Sequence, residues 1–192
     1  IFYCEKFDFA ENKEIAEVKE GSACPNCGGK IRVSQGIEVG NIFKLGTKFS
    51  EDFGLTYKDE KGKENHVSIG CYGIGLGRLM GTIVEVSHDE QGLIWPETVA
   101  PLAAHLLELG KGRAKKLYED LQKAGIDVLY DDRNLSAGEK LTEADIIGIP
   151  WRLVVSDRTG AKIEVKRRDE KDSKLMTASQ VIKLLQPTNY KL

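Results

Sequence analysis

Between Gly70 and Met80 the chain reads Gly-Cys-Tyr-Gly-Ile-Gly-Leu-Gly-Arg-Leu-Met. Three glycines in alternation, Gly73, Gly75 and Gly77, are poor helix formers, and in an extended strand they fall on one face. A strand face without side chains lets a flat or bulky ligand lie directly against the backbone. Apolar residues then recur at Leu79, Ile83 and Val86, the spacing of one helix face. The run therefore predicts a strand turning into an amphipathic helix, with Arg78 at the junction. A guanidinium there can stack on a base or grip phosphate oxygens. The spacing is not that of the dinucleotide fingerprint, G-x-G-x-x-G, and no Lys-Ser/Thr follows as a Walker loop requires. Tight packing of the helix on the sheet would call for the same glycines, and spacing alone leaves both readings open.

Organisation changes near Ile94-Trp95-Pro96-Glu97-Thr98-Val99-Ala100-Pro101, where two prolines bracket a segment that cannot be helical. We expect two domains, residues 1–99 and 100–192. In the second, the apolar runs His105–Leu109, Ile126–Tyr130 and Arg152–Ser156 predict buried strands, with Lys162–Lys166 a further short one. Ala114, Leu117, Leu121 and Ala124 share a helical face that Gly125 ends, and helices are also expected over Lys140–Ile147 and Thr177–Leu185. Strands alternating with helices predict an α/β unit with a helix-covered sheet. In the first, Glu38–Gly46 and Asn65–Gly70 predict antiparallel strands, with a turn at Asp59-Glu60-Lys61-Gly62 between them.

At 192 residues, 41% hydrophobic and 30% charged, the chain has the balance of a soluble globular protein, which excludes collagen, coiled-coil rods and intrinsic disorder. No run approaches the ~20 apolar residues of a membrane span. Since it opens on Ile1-Phe2-Tyr3-Cys4, it is expected to be a piece of a longer protein. The first 99 residues carry 11 Lys and Arg against 16 Asp and Glu, and the rest 17 against 14, so the basic excess that would suit a polyanion is modest and lies in the second domain. Four cysteines are too few for a disulfide scaffold, and a Cys-x-x-Cys pair suits a reducing compartment, here expected to be the cytoplasm. Cys24-Pro25-Asn26-Cys27-Gly28-Gly29 is a knuckle of the zinc-ligating kind, and Cys4 lies upstream. The partner expected three residues beyond Cys4 is Phe7, which cannot bind metal. A site without zinc is expected, with Asp8 or water able to complete only a weaker one. His66, His88 and His105 are scattered, without metal-ligand spacing.

The glycine run with Arg78 resembles motif 3 of the class II aminoacyl-tRNA synthetases. Gly36-Ile37-Glu38-Val39-Gly40-Asn41-Ile42-Phe43-Lys44-Leu45-Gly46-Thr47-Lys48-Phe49-Ser50, followed by Gly70-Cys71-Tyr72-Gly73-Ile74-Gly75, narrows the resemblance to the bacterial-type prolyl-tRNA synthetases. Asp131-Asp132-Arg133, Gly138-x-Lys140 and Ile147-Gly148-Ile149-Pro150 resemble that family's anticodon-binding domain. The resemblance implies the C-terminal part of an antiparallel class II catalytic domain (α+β), followed by an α/β anticodon-binding domain with a mixed sheet. It implies activation of proline by ATP with Mg2+, transfer to tRNA(Pro), and a homodimeric full-length enzyme not bound to membranes. By the same resemblance Arg78 is the catalytic, ATP-binding arginine, and Gly73, Gly75 and Gly77 form the floor under the adenosine. Glu38 lies near the magnesium. Asn41, Thr47, Phe49, Ser50, Gly70 and Cys71 line the proline pocket. Asn41 stands where the family often has histidine, and it cannot titrate. Phe49 stands where tyrosine is usual.

Asp131, Asp132, Arg133 and Lys140 are expected to read the anticodon, whose guanines offer both acceptors and donors on their edges. Lys166, Arg167 and Arg168 are expected to hold tRNA phosphates, which gives affinity without sequence information. Motifs 1 and 2 of the class do not occur in these residues, so the isolated chain is expected to be inactive. The alternative is a non-catalytic tRNA-binding or regulatory protein built from the same domains.

Overall fold

Strand-forming residues in the first third of the chain come in short pieces. The computed structural model, which describes residues 1–110 and 113–186, pairs them as such. Strands β1 (Phe2–Cys4), β2 (Phe9–Glu11) and β3 (Ile31–Val33) form an antiparallel sheet in the order β2-β1-β3. Next, β4 (Gly40–Gly46) leads into the short helix α1 (Lys48–Asp52). A hairpin follows, β5 (Thr56–Lys58) and β6 (Glu64–His66), and then β7 (Ile69–Ile74), which pairs antiparallel with β4. The hairpin turn forms where expected: the Asp59 carboxylate accepts the amides of Lys61 and Lys63, and Gly62 takes φ +78°. The single strand expected over Asn65–Gly70 is two pieces, broken at Val67 and Ser68, where the Val67 amide bonds the Leu55 carbonyl instead. Glu38 lies ahead of β4 rather than within it.

Helix α2 (Leu76–Val86) begins one residue after Gly75. The three glycines therefore do not share one strand face. Gly73 is in β7, Gly75 is at the junction and Gly77 is in the first helical turn. None of the helix residues is fully buried, and Val86 is exposed, off the half-buried face of Leu79 and Ile83. The compact units divide inside this helix, as Ile1–Leu79 and Met80–Leu192.

The second unit opens with a small hairpin, β8 (His88–Asp89) and β9 (Gly92–Leu93). It continues with β10 (Ala104–Leu109), α3 (Ala114–Lys123), β11 (Val128–Asp131), α4 (Ala137–Ile147), β12 (Trp151–Ser156), β13 (Ile163–Arg167), β14 (Ser173–Met176) and α5 (Ala178–Leu185). The sheet order is β11-β10-β12-β13-β14, parallel among the first three and antiparallel beyond, which is the mixed, helix-covered sheet expected. Alternation along β10 sends Ala104 and Leu106 to one face, against Leu117 and Leu121 of α3 and Val181 and Leu185 of α5. Leu107 and Leu109 face the other way, against Leu141 and Ala144 of α4. Capping boxes start α4 (Ser136 with Glu139) and α5 (Thr177 with Gln180).

Gly148 ends α4 at φ +75°, and a Cβ there would come within 2.0 Å of the Leu93 carbonyl oxygen. A Cβ on Gly92 would stand 2.4 Å from the Ile146 Cα. The β8–β9 hairpin thus lies flat on the end of α4. It is held there by Trp95 Nε1 donating to the Ile147 carbonyl at 3.1 Å and by Arg168 gripping Asp89 through both terminal nitrogens.

Candidate functional site

In the first unit the β4–β7 register sets Asn41 opposite Gly73, Phe43 opposite Cys71 and Lys44 opposite Gly70. Residues directly opposite share a face, so Asn41, Gly73, Phe43 and Cys71 lie together while Gly70 belongs to the other side. Nothing among the described residues lies within 4 Å of where a Cβ would stand on Gly70, Gly73 or Gly77, and none of the three has positive φ. Neither packing within this chain nor backbone geometry therefore demands glycine at these positions. Open space over the backbone is what a ligand cradle needs.

Arg78 is carried by the first turn of α2. Its Nη1 donates to the Glu38 carbonyl at 2.7 Å and lies 3.9 Å from the Glu38 carboxylate, and both side chains are more than half exposed. The backbone just before β4 thereby anchors the guanidinium at the open edge of the strand pair.

Thr47 precedes α1 and donates its hydroxyl to Glu51, and Phe49 is exposed on the helix. Ser50 departs from expectation. It is 1% exposed and its hydroxyl donates to the Thr47 carbonyl at 2.8 Å, so it braces the helix start rather than lining a pocket.

In the second unit, α3 after β10 and α4 after β11 cover opposite faces of the sheet. A crevice opens between two neighbouring strands whose following helices diverge in this way. It is a cleft of about 380 Å³ at the carboxyl ends of β10 and β11, lined among others by Glu108, Asp132, Arg133, Asn134 and Lys140. Arg133 is half exposed. Its Nε and Nη2 make a two-pronged pair with Asp131 at 3.0 and 2.9 Å, and Nη2 also bonds Glu143. Arg133 is the main cause that brings the Asp131 carboxyl, itself 4% exposed, down to a pKa of about 2; burial opposes the shift and Lys140 adds to it.

Lys140 is not the solvated helix residue or base reader its sequence position suggests. It is 2% exposed, and its ammonium donates to the carbonyls of Glu108 at 2.7 Å and Asp131 at 3.0 Å. It ties the ends of β10 and β11 together under the cleft. Asp131 is likewise a buried brace, which leaves Asp132 and Arg133 as the exposed members of the expected set.

Sequence reasoning missed Glu108 and Asn134. Glu108 sits near the end of the expected strand His105–Leu109 and accepts the Tyr130 hydroxyl; burial and this carboxylate push the tyrosine pKa well up. Asn134 follows Arg133 in the same turn, and an amide there carries the donor and acceptor that reading a base edge requires.

The expected phosphate grip is also altered. Arg168 is 6% exposed and bonded to Asp89 and to the Asp145 carbonyl, so it is a structural clamp of the unit. Arg167 pairs with Asp169 and Glu97 and lies over the Trp151 ring. Lys166 is half-buried on β13.

Residues 2–87 match the domain family described as tRNA synthetase class II core domain (G, H, P, S and T), and residues 98–188 match the family described as anticodon binding domain. With both domains in this order over nearly all its length, the chain belongs to the class II aminoacyl-tRNA synthetases. Within that class its relatives are proline–tRNA ligases. It is 49% identical over 168 residues to the one from Halothermothrix orenii, covering 84% of this chain and 30% of that protein. It is 43% identical over 186 residues to that of Shouchella clausii (93% of this chain, 33% of that protein) and 41% identical over 169 residues to that of Aquifex aeolicus (84% and 30%). The chain spans about a third of the length of these curated relatives. Among the described residues no helix is long and apolar enough to cross a membrane.

Proposed function

We propose that this chain is the part of a proline–tRNA ligase that supplies the floor of the ATP and proline site and the anticodon-reading domain. The observation that carries the reading is the open space over Gly73 at the end of β7 and Gly77 in the first turn of α2, with Arg78 anchored beside them. A Cβ would be accommodated at Gly73 and Gly77 within this chain, so the glycines serve something that lies on them. Adenosine on that floor puts the ATP phosphates within the field of Arg78, with Mg2+ beside the Glu38 carboxylate. Asn41 and Cys71 face the same side as Gly73 and form one wall of the amino-acid pocket, with Thr47 and Phe49 beyond the end of β4. The full-length protein, a cytoplasmic homodimer in this reading, should catalyse ATP–pyrophosphate exchange with proline, while the 192-residue chain alone should not. Exchange driven by threonine, histidine or glycine instead would move the protein to a sister enzyme. Binding of tRNA(Pro) by a full-length protein with no exchange would make it the non-catalytic relative.

The cleft at the ends of β10 and β11 is the anticodon site in this reading, with Asp132, Arg133 and Asn134 as the groups that meet bases. Arg133→Ala should weaken tRNA(Pro) binding by about 1–3 kcal/mol and erase most of the preference over a guanine-substituted anticodon. Lys166→Ala should weaken both tRNAs alike and lower the salt dependence by about one counterion. Filter binding of the two tRNAs across a salt series separates these outcomes. An Arg133→Ala variant that still discriminates fully places base reading elsewhere.

A further inference from the structure

The β2-β1-β3 sheet is held by a very small core. Its strands are three residues long, and its buried hydrophobic cluster consists of Cys4, Cys24 and Ile31, with Phe2, Phe9 and Val18 packed around it. A sheet of this size buries too little apolar surface to offset its ordering entropy, and small units of this kind are usually stapled by a disulfide or a metal. Two of its three buried residues are cysteines, and all are free thiols.

The Sγ atoms of Cys4, Cys24 and Cys27 all lie within 4.8 Å of one another, with Cys4 and Cys27 at 3.5 Å. Three sulfurs at about 2.3 Å from one tetrahedral cation stand about 3.8 Å apart, so the spacing already suits a shared ion. The backbone is arranged for it. Gly28, at φ +70°, folds the chain back so that its amide bonds the Cys24 carbonyl at 2.8 Å, and the Gly29 amide then points at the Cys27 sulfur at 3.4 Å. An amide aimed at a ligating sulfur is the kind of outer-shell contact that orients and tunes metal thiolates. A Cβ at position 29 would stand 3.2 Å from both the Cys4 and Cys27 sulfurs, so glycine leaves that space to them. Among the described residues no His, Asp or Glu joins the group, so Asp8 does not complete it, and the half-exposed Phe7 occupies the position three residues beyond Cys4.

We propose that Cys4, Cys24 and Cys27 form a three-thiolate site for a thiophilic cation, Zn(II) in the first place, with the fourth position open to water or an exogenous ligand. Thiolate softness selects such a cation over Mg2+ or Ca2+. Three protein ligands with a water in the fourth position is the coordination of open zinc sites. On this reading Phe7, three residues beyond Cys4, costs one ligand and leaves one position open. The ion would staple β1 to the Cys24–Cys27 knuckle, and with Cys27 exposed it would exchange more readily than in a closed four-thiolate site.

The test uses the full chain, reduced and metal-stripped, titrated with Co(II) and then Zn(II). One Co(II) per chain is expected, with thiolate-to-cobalt charge-transfer absorption of three sulfurs, bleached by one equivalent of Zn(II). Cys24→Ser and Cys27→Ser should each lose most of that absorption, while Cys71→Ser, whose sulfur lies on β7, should keep it. Phe7→Cys should raise the charge-transfer intensity by about a third, for a fourth sulfur, and slow metal loss to a chelator at least tenfold, a result that does not depend on a disruptive variant folding. No bound cobalt or zinc in the reduced chain would overturn the site, as would binding that survives Cys24→Ser but not Cys71→Ser. A Phe7→Cys variant with unchanged absorption and exchange would overturn the open fourth position.

Discussion

In the full-length protein, Arg78→Ala is expected to slow proline-dependent ATP–pyrophosphate exchange by about two to three decades. A fixed charged donor aimed at developing phosphate charge is worth about 3–4 kcal/mol, and each 1.4 kcal/mol is tenfold in rate. The geometry supplies the fixing. The Glu38 carbonyl takes one hydrogen bond from Nη1 at 2.7 Å, which restrains the side chain while more than half of its surface remains open. Arg78→Lys keeps the charge but loses the planar fork, so it should recover only part of the rate. Stability should hardly move, because the charge pair with Glu38 is exposed and such pairs contribute little. The decisive comparison is therefore exchange rate against thermal melting on the same variants. A rate loss with unchanged melting supports contact with the nucleotide. Near-normal exchange by Arg78→Ala would make the residue structural and withdraw the assignment of Gly73 and Gly77 as the nucleotide floor.

In the C-terminal unit the strands that were legible are those whose apolar residues enter the core. The runs His105–Leu109 and Arg152–Ser156 are apolar because helices cover both faces of these central strands, Ile126–Tyr130 is at the sheet edge but buries Ile126 and Val128 in the core, and each run forms within two residues of its expected ends. β14 was not legible, because Ser173–Met176 is an edge strand with three of four residues exposed and no apolar signal. Helix α1 escaped because five residues are too few for a periodicity. The glycine run was right in kind and wrong in register: helix α2 begins at Leu76, so only Gly73 keeps a strand conformation. At the sites, exposed charges such as Asp132 and Arg133 lie where the turn placed them. Asp131, Lys140 and Arg168 are buried by partners 9 to 79 residues away, and no local pattern marks a charged residue as internal. The cysteine cluster was half legible, since Cys-x-x-Cys is a local pattern, whereas its closure with Cys4 depends on β1 pairing with β3.

Lys140→Met is expected to destabilise the C-terminal unit by about 3 kcal/mol, since removing one partner of a buried ion pair typically costs about 3–5 kcal/mol and methionine retains the apolar stem. The ammonium bonds two strand-end carbonyls and lies 3.7 Å from the Asp131 carboxylate, with both side chains almost fully enclosed. Methionine leaves those carbonyls buried without that donor and Asp131 with Arg133 alone. For a unit of this size the loss should lower the melting temperature by about 10–20 °C. Trp95 and Trp151, the two tryptophans of the chain, both lie in that unit, so intrinsic fluorescence reports the transition directly.

The pH dependence carries a second signature. Asp131 has its folded pKa lowered to about 2, so its contribution is fully present above the unfolded carboxylate value of about 4 and fades as pH falls from there through about 2. Removing Lys140 takes away one cause of the shift, so in Lys140→Met the Asp131 contribution should still begin to fade near the unfolded value but level off at a higher pH than in the parent, with a smaller total loss. Binding separates positioning from contact. A lysine that touched phosphate would lower the salt slope for tRNA by about one when removed, whereas one that holds the cleft from beneath leaves the slope unchanged and weakens discrimination between anticodons. A Lys140→Met variant that melts like the parent and loses salt dependence would return this residue to the tRNA surface, where its sequence position first suggested it.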